Sequence, residues 1–321
     1  MSDFGFYSAQ AFFAKECESR QPLIENILYE RDSVILAGKA KTGKSILLFN
    51  LICSLTSGEP FLDRFETRRK CKVLYMQLEG SLGDSQDRFQ RMLRALSFDE
   101  TNFFIKFSPP LSLNDGDNVH KFIHEVETRM QTMDVLIIDP IYFAMRGSLS
   151  DDEAVRGFVG QLRIIQDHFK CAIILTHHFK KCRKDKEGNI MPTDDDDVFG
   201  SVFFQAWITH QFLFETDRSS KARTLQCNTQ RSGKIVERLS LKLVEPDPLY
   251  FEELAIWPSK AEAIIKTLSS NQWMTPVEIY RQSQISRATF YREIKGLMVQ
   301  SKIEKCPDSN ITLYRLRRVE E

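Results

Sequence analysis

The sequence has no net charge: 44 lysines and arginines are balanced by 44 aspartates and glutamates over 321 residues. Such a chain lacks the global field that holds a polyanion, so any nucleic-acid contact must come from local patches. Long apolar runs are missing as well, and no stretch approaches the roughly 18 to 20 consecutive apolar residues of a membrane span. The first ten residues, MSDFGFYSAQ, carry neither the basic nor the apolar segment of a secretory leader. Cysteine pairs are absent. The seven cysteines, at 17, 53, 71, 171, 182, 227 and 306, never fall at C-x-x-C spacing, and their odd number fits free thiols in a reducing compartment. A cytoplasmic chain with no membrane partner is the expectation. Glycine is scarce, with 14 residues, so a cluster of it carries information.

What is present is ordinary globular material: 42 % apolar and 27 % charged residues, with 24 phenylalanines for a core. That excludes disordered and fibrous classes. The length fits about two domains. After a short helix (Tyr7 to Arg20) and an extended lead-in, apolar runs alternate with amphipathic segments. SVILAG (33–38), KVLYMQLE (72–79), FFIKF (103–107), VLIID (135–139) and CAIILTH (171–177) read as strands. The segments 45–58, 85–98, 118–131 and 151–169 between them read as helices. Strands that are apolar throughout and separated by helices predict a mainly parallel sheet covered on both faces. From 208 to 245 three strands (208–216, 222–230, 237–245) follow with short polar turns, which predicts an antiparallel extension. Pro246, Pro248 and Trp257-Pro258 then punctuate a linker.

Gly38 to Ser45 reads GKAKTGKS, the pattern G-x-x-x-x-G-K-[ST], between a predicted strand and a predicted helix. Gly38 and Gly43 allow the tight wrap that turns successive N–H groups and the helix N-terminus toward phosphates. Residues Gly38, Lys39, Ala40, Lys41, Thr42, Gly43, Lys44, Ser45 and Ile46 are therefore expected to bind a nucleotide. Lys44 would reach the β- and γ-phosphates, and the Ser45 hydroxyl would join a Mg²⁺. Such a loop needs a carboxylate for the metal at the end of an apolar strand, and Asp139 in VLIIDP stands there. Glu79, at the end of MQLE, is placed as a water-activating base or as a helix N-cap. His177 and His178 end the last apolar strand, either as a phosphate-facing pair or as a polar strand terminus.

In their order, GKAKTGKS, YMQLEG, VLIIDP and ILTHH resemble RecA-fold ATPases, especially the hexameric plasmid replicative helicases of RepA type. The resemblance spans roughly 20 to 245. It implies ATP and Mg²⁺ as cofactors and a homo-oligomeric ring acting on single-stranded DNA. It also implies Glu79 as catalytic base, Asp139 as metal carboxylate and His177 or His178 as γ-phosphate sensor. Relatives insert a basic finger into the neighbour's site, and NTQRSGK (228–234) offers Arg231 and Lys234, although Thr229 stands where bacterial replicative helicases carry a lysine. The same residues also read as a solvated turn.

The segment 179–200 carries Lys180, Lys181, Arg183 and Lys184 before the acidic run Asp194 to Asp197. Its basic half suits phosphate neutralisation in a ring pore, or the whole is a solvated loop. Residues 259–321 hold 11 basic against 7 acidic side chains, an excess the rest of the chain offsets. An amphipathic helix, a second helix capped by Thr275 with Pro276 first, a third from about Ser286, and a hairpin resemble a winged helix–turn–helix. Arg287, Arg292 and Lys295 would face duplex DNA, unless the unit serves protein contact. The expected layout is an N-terminal helix and lead-in (1–30), a RecA-like α/β core (31–254), a linker (255–260) and an α+β winged helix (261–321). The expected activity is ATP hydrolysis driving a DNA helicase. A single-strand annealing mediator and an ATP-gated DNA-binding regulator are the rivals, and a primase has no support.

Overall fold

The computed structural model describes residues 7–15, 20–107, 112–178, 201–216, 222–231, 233, 236, 238–254, 260–268, 272–283, 285, 287–299, 302–306 and 312–317. The side chains at 260–263, 288, 289, 292 and 299 lie outside that set. The chain divides into two compact units, Met1–Glu253 and Leu254–Glu321.

The first unit is built on a nine-stranded sheet. Its strands are β3 (Ser33–Ala37), β4 (Val73–Gln77), β5 (Phe103–Phe107), β6 (Val135–Asp139), β7 (Ala172–His177), β8 (His210–Thr216), β9 (Arg223–Gln230), β10 (Leu239–Val244) and β11 (Tyr250–Glu253). They lie in the order β11-β10-β9-β8-β3-β7-β6-β4-β5. The five apolar strands pair in parallel, as their unbroken burial requires. Alternate residues face opposite layers. Val34, Leu36, Tyr75, Ile137 and Ile174 pack toward the core that contains α2 (Lys44–Ser57), while Ile35, Met76, Ile138 and Leu175 pack toward that of α4 (Gly116–Met130) and α5 (Asp152–Phe169). The expected helix 85–98 is α3 (Leu82–Met92), displaced toward its N-cap Ser81, whose side chain accepts from the Asp84 N–H.

Three features differ from expectation. The extended lead-in is a hairpin, β1 (Pro22–Ile24) with β2 (Leu28–Tyr29), and its Leu23, Ile24, Ile27 and Leu28 are core residues. The strand β8 pairs in parallel with β3, so the antiparallel extension begins one strand later, at β9. It also gains β11, which pairs with β10 within what reads as a linker. A short helix α6 (Val202–Trp207) precedes β8 and buries Phe204 and Trp207. The N-terminal helix is only α1 (Ala9–Ala14).

The second unit contains α7 (Lys260–Thr267), α8 (Pro276–Gln282), α9 (Arg287–Val299) and the antiparallel pair β12 (Ile303–Lys305) and β13 (Tyr314–Leu316). Thr275 and Glu278 form a reciprocal capping box with Pro276 at the helix start. Ile264, Leu268, Ile279, Phe290, Ile294, Leu297, Ile303 and Tyr314 make its core.

Candidate nucleotide site

At the C-terminal end of the parallel strands, the chain leaves β3 at Ala37 and enters α2 at Lys44 through the glycine-rich loop. Two glycines are required sterically. A Cβ at Gly38 would stand 2.3 Å from the Phe214 carbonyl oxygen of β8, and Gly43 takes φ +98° with the Phe251 ring 3.0 Å from where its Cβ would be. Phe251 belongs to β11, and Asn50 of α2 grips that strand. The Asn50 amide donates to the Phe251 carbonyl (2.8 Å) and accepts from its N–H (3.0 Å), so an amide side chain replaces a neighbouring strand. The unforeseen β11 thus supports the loop from below.

Lys44 is buried, and its ammonium donates to the Gly38 and Lys39 carbonyls at 2.8 and 2.9 Å. Its Nζ also lies 3.0 Å from Nδ1 of His178. Burial pushes the Lys44 ammonium down to about 8, with Asp139 and Glu79 opposing that shift. Burial likewise lowers His178, and the adjacent Lys44 charge adds to the effect, so its imidazole is a neutral acceptor for the lysine.

Asp139 ends β6. The strand β7 stands between β6 and β3, and its Thr176 donates to Asp139 Oδ1 at 2.5 Å. Oδ2 accepts from the Ser45 hydroxyl at 2.8 Å and from the Tyr75 hydroxyl at 2.7 Å. A desolvated tyrosine beside a carboxylate is pushed well above its usual range, so Tyr75 remains a donor. Ser45 and Asp139, the two residues expected to hold Mg²⁺, are therefore in contact. One carboxylate and one hydroxyl form a hard-oxygen set too small for a full cage, which suits a Mg²⁺ that keeps waters and takes phosphate oxygens. Among the described residues, no group of three or more His, Cys, Asp or Glu could hold a metal by itself.

Glu79 is exposed beyond β4 and close enough to Lys44 and His178 to act on both electrostatically. Ser81 caps α3, so the cap reading of Glu79 does not apply. The two histidines diverge. His178 meets Lys44, whereas His177 Nδ1 lies 2.8 Å from the Tyr142 hydroxyl, which accepts from the His178 N–H at 2.8 Å. The Tyr142 ring stacks on His178 with centroids 5.8 Å apart.

Arg231 is not at this site. It follows β9, whose last residue Gln230 pairs with His210 at the opposite end of the sheet, and its guanidinium reaches the Gln205 and Ala206 carbonyls of α6. Contact with a nucleotide would have to be with that of another copy. Lys234, Lys180, Lys181, Arg183, Lys184 and the acidic run Asp194 to Asp197 lie outside the described residues, as does the Arg292 side chain. Arg287 and Lys295 are exposed on α9, with Tyr291 between them at helical spacing.

Two contributions escaped the sequence reading. Arg223, the first residue of β9, donates from Nε to the Thr42 carbonyl at 2.9 Å and so braces the loop. Tyr75 and Thr176 looked like core strand positions, yet their hydroxyls are directed at Asp139. A strand register was needed to see either.

The fold and this constellation define a P-loop ATPase of RecA-like α/β architecture. The model of the family described as "AAA domain" matches residues 5–184, and the chain belongs to that family. Among solved structures, it is similar to an isolated ATPase domain, with 11 % identity, 71 % of this chain and 86 % of that chain covered, and a TM-score of 0.53. The KaiC-like protein PH0186 from Pyrococcus horikoshii OT3 gives 14 % identity over 75 % of this chain and 99 % of that chain, with a TM-score of 0.48. At such identity the likeness to the solved ATPase domain concerns the fold. No curated protein matches the chain. Among the described residues, no helix is long and apolar enough to cross a membrane.

Proposed function

We propose that the chain is an ATP-hydrolysing, DNA-dependent motor, a ring-forming replicative helicase of RepA type that acts on single-stranded DNA. The observation that carries this reading is the 3.0 Å contact between Lys44 and His178. His178 immediately precedes the segment with Lys180, Lys181, Arg183 and Lys184. A γ-phosphate that draws Lys44 off His178 would be felt at once by a basic segment suited to a DNA backbone.

In this reading Lys44 and the loop N–H groups bind the phosphates, and Ser45 and Asp139 hold Mg²⁺, which neutralises charge on the β- and γ-oxygens when bound. Glu79 accepts a proton from the attacking water. Tyr75 and Thr176 keep Asp139 oriented, and neutral His178 registers the nucleotide. Arg231 or Lys234 would complete the site of an adjacent copy, which the position of Arg231 permits only between subunits. In the C-terminal unit, read as a winged helix, the ridge Arg287–Tyr291–Lys295 offers two charges and a ring to duplex DNA.

Strand displacement tests the motor. A labelled strand released from a forked duplex with ATP, but not with a non-hydrolysable analogue, supports it. Annealing of complementary strands without displacement would favour the mediator, and tight DNA binding without turnover would favour the regulator.

A further inference from the structure

Gln77 is the last residue of β4, 6 % exposed, and paired in register with Asp139 of β6 on one side and Phe107 of β5 on the other. It shares a strand face with Tyr75, two residues earlier, whose hydroxyl binds Asp139. Its amide Nε2 donates to the Glu79 carbonyl at 3.2 Å and also meets the Ser85 hydroxyl of α3. Ser85 in turn donates to the Ser81 carbonyl at 2.9 Å, and the Leu78 N–H donates to the Asp139 carbonyl at 2.8 Å. Between these anchors the chain turns at Gly80, which takes φ +95°. The peptide bearing Glu79 is thus held from both sides, by a backbone bond to the Asp139 strand and by one buried amide. The Gln77 oxygen Oε1 is buried without a hydrogen-bond partner. A half-paired amide is a poor choice for stability at a buried position, where an apolar side chain of similar size would avoid the orphaned acceptor. Its retention is explained by what the other half of the amide does.

We propose that Gln77 is a positioning residue for hydrolysis: its Nε2 fixes the 79–80 turn and so aims the Glu79 carboxylate at the water it activates. The proposal rests on the reading of Glu79 as the base. Gln77 does not touch the phosphates, so its loss separates turnover from binding.

The test compares Gln77→Leu, Gln77→Glu, Ser85→Ala and Glu79→Gln with the full-length parent, measuring steady-state ATP turnover and the affinity for Mg·ADP by fluorescence. Leu and Glu both lack the donor to the Glu79 carbonyl. Each is expected to lower kcat on the order of 100-fold, the scale of a 1 Å misplacement, while Mg·ADP affinity changes less than about threefold. Ser85→Ala loosens the amide without altering it and should lower kcat several-fold. If the Gln77 variants do not fold, Ser85→Ala decides alone. Parental kcat in Gln77→Leu, parental kcat in Ser85→Ala, or an equal loss of turnover and affinity would overturn the proposal. Glu79→Gln keeps the failures apart: undiminished turnover there removes the base itself, whereas loss there with none in Gln77→Leu removes only the positioning role.

Discussion

Asp32 and Asp139 are both buried carboxylates with hydroxyl partners and a nearby histidine, and they stand at opposite ends of the same sheet. Asp32, just before β3, accepts from the Tyr29 N–H at 2.8 Å and the Thr209 hydroxyl at 2.9 Å, and it pairs with buried His210 at 3.1 Å. Arg20 adds a longer contact at 3.4 Å. Gln166 closes the same corner by donating to the carbonyls of Arg31 and Asp32. Each charge there is matched within the chain, and the cluster ties the β1–β2 hairpin, β3, β8 and α5 together. At the Asp139 end the arrangement is different. Lys44 is folded back onto carbonyls and its charge is depressed by burial, Glu79 stands exposed, and the loop N–H groups face outward. One end is complete without a ligand; the other has electrostatics that a polyphosphate would improve. Burial and a shifted charge do not by themselves mark function; what marks it is which charges the fold leaves mismatched.

The largest expected effect breaks the open end. Lys44→Ala should reduce ATP turnover about 10²- to 10³-fold, the cost of one preorganised donor, while the melting temperature stays level or rises because a desolvated ammonium is gone. Thermal melts beside an ATPase assay check both halves.

Asp32→Ala should do the reverse. Breaking a buried ion pair costs on the order of 3 to 5 kcal/mol, read as a lower midpoint in urea, with turnover per folded molecule unchanged at low temperature. A selective loss of turnover would make the closed end part of the site and erase the contrast.

The smallest effect is in pH. Lys44 sits at about 8 in the free protein, below its ordinary 10.5, so the fold disfavours the ammonium. That penalty is full below pH 8 and fades as pH rises toward 10.5, giving the free protein a stability gain across that window. A bound polyphosphate keeps the proton on Lys44. ATP affinity should therefore be level below pH 8 and weaken above it, approaching about tenfold per pH unit. Fluorescence titrations of ATP binding on either side of pH 8 would reveal the break.

Much of the open end was readable from sequence. The glycine spacing, the five apolar strands and the acid ending VLIID place Lys44, Ser45 and Asp139 with no structural help, and β5 and β6 fall on their expected residues. Legibility fails where the partner is distant along the chain. Phe251 and Asn50 support the loop across two hundred residues, and YFEE after two prolines resembles a linker until β10 pairs with it. Tyr75, Thr176 and Gln77 are ordinary strand residues until the parallel register directs them to Asp139 and Glu79. His177 and His178 are equivalent by spacing, and only the contact with Lys44 separates them. The closed end left little trace, because Asp32 and His210 are isolated polar residues at strand starts.

The most direct measurement is steady-state ATP hydrolysis without DNA, with single-stranded DNA and with duplex, using Lys44→Ala as the blank. The account predicts turnover that single strands stimulate several-fold and that the blank lacks in all three conditions. Tight ATP binding with negligible turnover throughout would contradict it, leaving a nucleotide-gated DNA-binding protein in place of a motor.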